Sequence, residues 1–155
     1  MAFEFTDRDV YAERDEDEVH HYLFGDTAEL FLKPADHVHY WELYATPRGR
    51  KTTFFVAVPR IRKIHPSGLR VAAQVKGTLN RDNDIDQGWT AEMAKPRKDL
   101  SVYGARFGPA DNWRIFVVRY NVSTLRDQLE LSMTPPLSRS SFHMAEEYAE
   151  LIQDP

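Results

Sequence analysis

The chain has 155 residues, 42% of them apolar and 28% charged, with a formal net charge of −4 and no cysteine. That length suits one domain that removes roughly 70% of the unfolded chain's surface from water, and no Lys/Arg stripe is present to neutralise a row of phosphates, which argues against a nucleic-acid partner. The lack of cysteine excludes disulfides, thiolate metal sites and cysteine nucleophiles, and no apolar run approaches the ~20 residues that span a bilayer.

Met1 to Phe5 lacks the basic and apolar regions of a secretion signal. Either the protein is cytoplasmic or its leader is missing from this sequence. Short apolar runs of period two then follow one another, separated by turn residues. Ala28-Glu29-Leu30-Phe31-Leu32 is the first clear strand, and Lys33-Pro34 ends it. Residues 39–45 form the next, closed by the turn Thr46-Pro47-Arg48-Gly49. Residues 52–58 are rich in aromatic and β-branched types, and residues 69–76 alternate between Gly68 and Gly77. Residues 89–94 and 113–120 complete the strong candidates. Arg60, Arg62 and Lys63 form the densest basic group and read as a solvated loop. Helical turns are expected only over 145–152 and 96–100. No repeat or linker divides the chain, so residues 1–155 are read as a single all-β sandwich domain.

Alternation assigns faces, because successive strand side chains point opposite ways. Trp41, Leu43 and Ala45 share one face of their strand, and Tyr40, Glu42 and Tyr44 share the other. In the strand before it Ala28, Leu30 and Leu32 read as core, leaving Glu29 and Phe31 on the opposite side. A carboxylate and aromatics on a non-core face are what a sugar site needs; they are also what a solvated sheet face can carry.

Several segments, in order, resemble the carbohydrate-binding modules of family 9 and the wider DOMON-like sandwiches. They are Phe5-Thr6-Asp7-Arg8-Asp9-Val10, the strand from Gly25 to Leu32, and the hairpin strand from Tyr40 to Gly49. Asp86-Gln87-Gly88-Trp89-Thr90-Ala91-Glu92-Met93-Ala94 is the closest match, followed by Trp113 to Arg119 and the closing stretch from Phe142 to Leu151. The resemblance implies a jelly-roll-like antiparallel β-sandwich and a bacterial, extracytoplasmic, non-catalytic sugar-binding role. Members usually carry a further N-terminal segment before the point where this chain starts. The resemblance therefore predicts a sandwich lacking the usual N-terminal strands, unless the chain closes that edge another way. An uncovered edge is a pairing liability, so a homodimer through it is expected.

Carried over position by position, the resemblance implies ligand contacts from Glu29, from Phe142 in the closing segment, and from an aromatic in Tyr22-Leu23-Phe24. Tyr44 and Thr46 stand where some members carry arginine and asparagine. Arg119 sits at the family's strand-end arginine. It can bond a ligand, or pair with a carboxylate such as Glu29 or Glu92. Trp41, Trp89 and Trp113 read as core, with Trp41 kept as a candidate platform. Sugar recognition needs flat aromatic faces and planar polar groups, and this set supplies both.

Asp82, Asp84 and Asp86 offer oxygens at alternate positions, a spacing that a structural calcium site can use. Asp7, Asp9, Asp15 and Asp17 form a second acidic cluster with weaker spacing. His37 and His39 would need a third ligand to hold a metal. No activated serine or phosphate loop is present, and Glu29 with Glu92 is the nearest approach to a carboxylate pair. An enzyme is therefore not expected. Two other readings stay open: a DOMON-like haem or redox-partner domain using Met93, Met133, His143 or Lys95, and a structural or interaction domain with a decayed sugar site.

Overall fold

The computed structural model describes residues 1–58, 61–124, 129–139 and 141–153. Its strands are β1 (Ala2–Thr6), β2 (Thr27–Pro34), β3 (Tyr40–Ala45), β4 (Lys51–Val58), β5 (Ile61–Ile64), β6 (Arg70–Lys76), β7 (Gly88–Ala94), β8 (Trp113–Asn121), β9 (Glu130–Thr134) and β10 (Ala149–Leu151). One short helix, α1 (Arg97–Leu100), follows β7, where a helical turn is expected from the sequence. Among the described residues no helix is long and apolar enough to cross a membrane.

The strands form two antiparallel sheets packed face to face, a β-sandwich. The smaller has the order β1-β7-β6. The larger has seven strands in the order β10-β8-β2-β3-β4-β5, with β9 pairing β8 beside β10. Leu30, Leu32, Trp41, Leu43, Trp89, Ala91, Met93 and Trp113 fill the space between the sheets. All three tryptophans are buried there, at 1%, 0% and 2% exposure for Trp41, Trp89 and Trp113. These are the residues that period-two alternation puts inside.

Close backbone approaches fix the smaller sheet. Gly88 takes a positive φ of 138°, and a Cβ there would run into the Phe5 carbonyl oxygen on β1. Gly77 likewise leaves room for the Asp86 carboxylate, which accepts bonds from the Val10 N–H (2.7 Å) and the Thr78 N–H (2.7 Å). At the free edge, Met1 bonds Met93 and the Asp7 N–H donates to Gln87. Odd-numbered residues of β1 therefore face β7, and Ala2, Glu4 and Thr6 turn their backbone groups outward.

Two expectations need correction. Of the stretch 145–152 read as helical turns, only Ala145–Glu147 is one, a 3₁₀ turn, and it gives way to β10, which pairs with Trp113, Arg114 and Ile115 at the β8 edge. An open row of ladder partners outweighs a weak local preference there. The basic segment read as a loop contains β5, which pairs β4. Arg60 lies outside the described residues.

Candidate functional site

The middle of the larger sheet is buried on both faces. Every residue of β2 and β3 is buried, including Glu29 at 1% exposure, Lys33 at 3% and Glu42 at 0%. An antiparallel sheet commonly leaves one face to water. Here the outer face is covered by the turn around His21–Leu23, by Arg62 of β5, and by the segment that leads through Phe142 to β10.

Register builds the arrangement. Glu29 opposes Tyr44, and Phe31 opposes Glu42, which itself opposes Phe54 of β4. Glu29 and Glu42 are thus diagonal neighbours on adjacent strands, ~7–8 Å apart at the backbone and within reach of each other through their side chains. The Tyr44 hydroxyl donates to Glu42 Oε2 (2.8 Å), and Arg62 Nη1 donates to the same oxygen (3.2 Å). Arg62 Nη2 donates to the Tyr22 hydroxyl (2.8 Å), and the guanidinium lies 4.3 Å from the centre of the Phe54 ring. His143 Nδ1 stands 2.7 Å from the Tyr40 hydroxyl and 3.5 Å from Glu42 Oε1. Neither oxygen of Glu29 has a hydrogen-bond partner among the described residues. Burial, reinforced by the negative charge of Glu42, holds the Glu29 carboxyl well above the usual range. Burial and the nearby carboxylates also raise the hydroxyl pKa of Tyr44, and they push Tyr120 up to about 12.

The covering aromatics are anchored. His21 is buried; its Nε2–H donates to the Glu16 carbonyl (3.0 Å), and its Nδ1 lies 2.6 Å from the Thr52 hydroxyl, which donates to the Val19 carbonyl (2.6 Å). That pins the turn presenting Tyr22, whose ring lies 5.6 Å from Tyr120 and 6.2 Å from Tyr44. Phe142 packs on Phe31, Phe116 and Tyr120. Beside this cluster runs a groove of ≈ 770 Å³, with Lys33, Tyr40, Val56, Arg62, His143 and Met144 among its walls. Lys33 Nζ donates to the carbonyls of Ala35 (3.2 Å) and Pro34 (3.4 Å) at one side of it.

Of the residues singled out in the sequence, Glu29, Tyr44, Phe142 and Tyr22 come together on this face. Trp41 and Arg119 do not, because their strand positions have the opposite parity. Trp41 packs between the sheets against Phe55, with the Lys95 ammonium 4.8 Å from its ring centre. Arg119 pairs with neither Glu29 nor Glu92: its Nη2 donates to Asp7 Oδ2 (2.7 Å) and its Nη1 to the Thr6 carbonyl (3.1 Å). Among the described residues no group of three or more His, Asp or Glu side chains is placed to hold a metal ion. Asp82, Asp84 and Asp86 form no such group, and Asp86 turns inward to the two backbone donors above. Met93 and Lys95 lie on the inter-sheet side, and Met133 and His143 on the outer face, so the residues considered for haem are divided.

Glu42, Tyr40 and Tyr120 were missed as site residues, although following the Glu29 register one strand outward finds Glu42 and Tyr40. Arg62 and His143 carry no such signal. The four-residue β5 is too short to show alternation, and the closing segment has no period.

The fold is similar to the crystal structure of a "putative carbohydrate-binding protein" from Bacteroides uniformis ATCC 8492. The likeness has a TM-score of 0.71 at 12% identity and covers 96% of this chain and 69% of that one. At that identity the likeness speaks for the fold. No family model and no curated protein matches the chain.

Proposed function

We propose that the chain is a non-catalytic carbohydrate-binding domain of the family 9 kind, and that its ligand lies in the groove on the outer face of the larger sheet. One observation carries this reading: a sheet face that could have been solvated instead buries two carboxylates among tyrosines and phenylalanines, one of them paired with a half-buried arginine that lines an open groove. Tyr40 in the groove wall offers a ring to the C–H face of a pyranose, and Phe142 and Tyr22 belong to the aromatic cluster beside it. Arg62 and His143 in the groove wall offer planar polar groups for bonds to neighbouring hydroxyls, with Glu42 holding both from behind. The description of the Bacteroides protein as carbohydrate-binding supports the same reading.

The test is calorimetric titration with glucose, xylose, galactose, cellobiose and xylobiose. The panel should reach millimolar concentrations, where binding is worth only ~4 kcal/mol. Saturable binding to at least one sugar, weakened about tenfold or more in Tyr40→Ala and in His143→Ala, is the expected result. Silence across the panel from a protein shown to be folded would remove the reading.

A further inference from the structure

One end of the outer-face groove carries a surplus of positive charge. Lys33 of β2 lines the groove at 3% exposure and directly opposes Arg114 of β8. Like charges placed opposite each other on adjacent strands repel, and a lysine is rarely buried without a paired carboxylate. Among the described residues no carboxylate lies within hydrogen-bond distance of either cation. Lys33 Nζ gives two of its three protons to the carbonyls of Pro34 (3.4 Å) and Ala35 (3.2 Å). Arg114 Nη1 donates to the carbonyls of Glu146 (2.7 Å) and Tyr148 (3.4 Å). The counterion in place is Glu146, whose Oε1 stands 3.6 Å from Lys33 Nζ and whose side chain is 81% exposed. Glu147, the other carboxylate in the groove wall, accepts from the Ser138 N–H (2.7 Å) and hydroxyl (2.7 Å).

The groove floor beside Lys33 suits a sugar ring. Tyr40 opposes Val56, and Val56 opposes Arg62. Lys33, one residue past the Leu32–Trp41 pair, continues this row on β2. Tyr40 is therefore one strand over from Lys33, about 5 Å away at the backbone. A pyranose lying on the Tyr40 ring brings a carboxylate borne on its edge within reach of Lys33 Nζ. The volume of ≈ 770 Å³ leaves room for such a ligand. Taking the carbohydrate-binding reading as its basis, we infer that the groove takes an acidic sugar, a uronic acid, whose carboxylate displaces Glu146 from Lys33. Glu146 stands on the 3₁₀ turn Ala145–Glu147 and can swing into water at little cost, because an ion pair with an exposed partner is weak. The incoming carboxylate supplies a charge-assisted bond to the buried ammonium. A neutral hydroxyl brings an acceptor but not the charge; no covalent bond forms and no proton moves.

The experiment is calorimetric titration of the full chain at about pH 7, where a sugar carboxyl is ionised, with glucuronate, glucose and acetate. Glucuronate is expected to bind at least about tenfold tighter than glucose, and at least about tenfold tighter than acetate, which has the charge without the ring. In Lys33→Met the ratio of glucuronate to glucose affinity should fall to about one. In Glu146→Gln, which removes the competing carboxylate, the same ratio should rise about two- to fivefold. If glucose saturates the groove and glucuronate binds no better, the inference is overturned and the sugar-binding reading stands. If acetate binds as tightly as glucuronate, the groove holds a bare anion and the inference is overturned. If no sugar binds, acidic or neutral, the sugar-binding reading itself fails and takes the inference with it. A preference for glucuronate that survives in Lys33→Met seats the carboxylate elsewhere and overturns the assignment to Lys33. Should that variant not fold, Glu146→Gln decides at an exposed position: a ratio that stays level or falls overturns the inference.

Discussion

Arg62 donates to Glu42 across 3.2 Å while its guanidinium rests on the Phe54 ring, so one side chain of the edge strand β5 neutralises a carboxylate in the middle of the sheet. Glu42 is fully buried and Arg62 is 25% exposed on its side chain. Removing one partner of a buried pair costs ~3–5 kcal/mol, because the remaining charge is left uncompensated. Arg62→Met is therefore expected to cost about 3 kcal/mol, the low end of that range. The double variant Arg62→Met/Glu42→Gln should recover at least about half of the loss. Urea unfolding of the four proteins in this cycle measures the coupling; simple additivity would show that the pair is not formed.

Glu29 gives a pH dependence with a definite sign. Its carboxyl is held well above the ordinary value by burial and then by Glu42, so the folded protein binds this proton more tightly than the unfolded chain does. The stabilisation is fully present below the ordinary glutamate range and is lost as pH rises toward the raised value. The melting temperature of the wild type should therefore fall relative to Glu29→Gln between about pH 5 and about pH 8. A difference that stays flat over this window would mean that water reaches Glu29 in solution.

Arg119 separates structural from ligand-binding roles. It joins β8 to the end of β1 through Asp7, with side-chain exposures of 12% and 4%. Arg119→Ala should destabilise the fold by about 2–4 kcal/mol while changing the affinity of any bound sugar by less than about threefold, or under 1 kcal/mol. A tenfold loss of affinity in a folded Arg119→Ala protein would return Arg119 to the site.

The β1 edge predicts association. Ala2 and Glu4 present backbone groups that β7 does not use, and such a row invites an antiparallel partner. A dimer pairing two β1 strands is expected, and Glu4→Pro should make it monomeric. The Glu4 N–H points away from β7, so proline costs the monomer no ladder bond there. Sedimentation equilibrium of both proteins checks this; a wild-type monomer at all concentrations would end the idea.

Much of the fold was legible because alternation is a local signal. Leu30, Leu32, Trp41 and Leu43 face inward by parity alone, and the turns at Pro47-Arg48-Gly49 and at Gly88 mark their boundaries. β10 was not legible: its three residues are a strand only because β8 leaves an edge beside them. The site was partly legible for the same reason. Glu29 and Tyr44 stand on a face that any reading by twos exposes.

What the sequence by itself determined is which side chains share a face of each strand, since the chain's chirality and pleat fix that before any packing. It could not determine that the outer face would be covered. Burial of Glu29 and Glu42 depends on Tyr22, Arg62 and Phe142 arriving from segments distant in the chain. A carboxylate's charge and hydration follow from those neighbours, and only the tertiary structure brings them together.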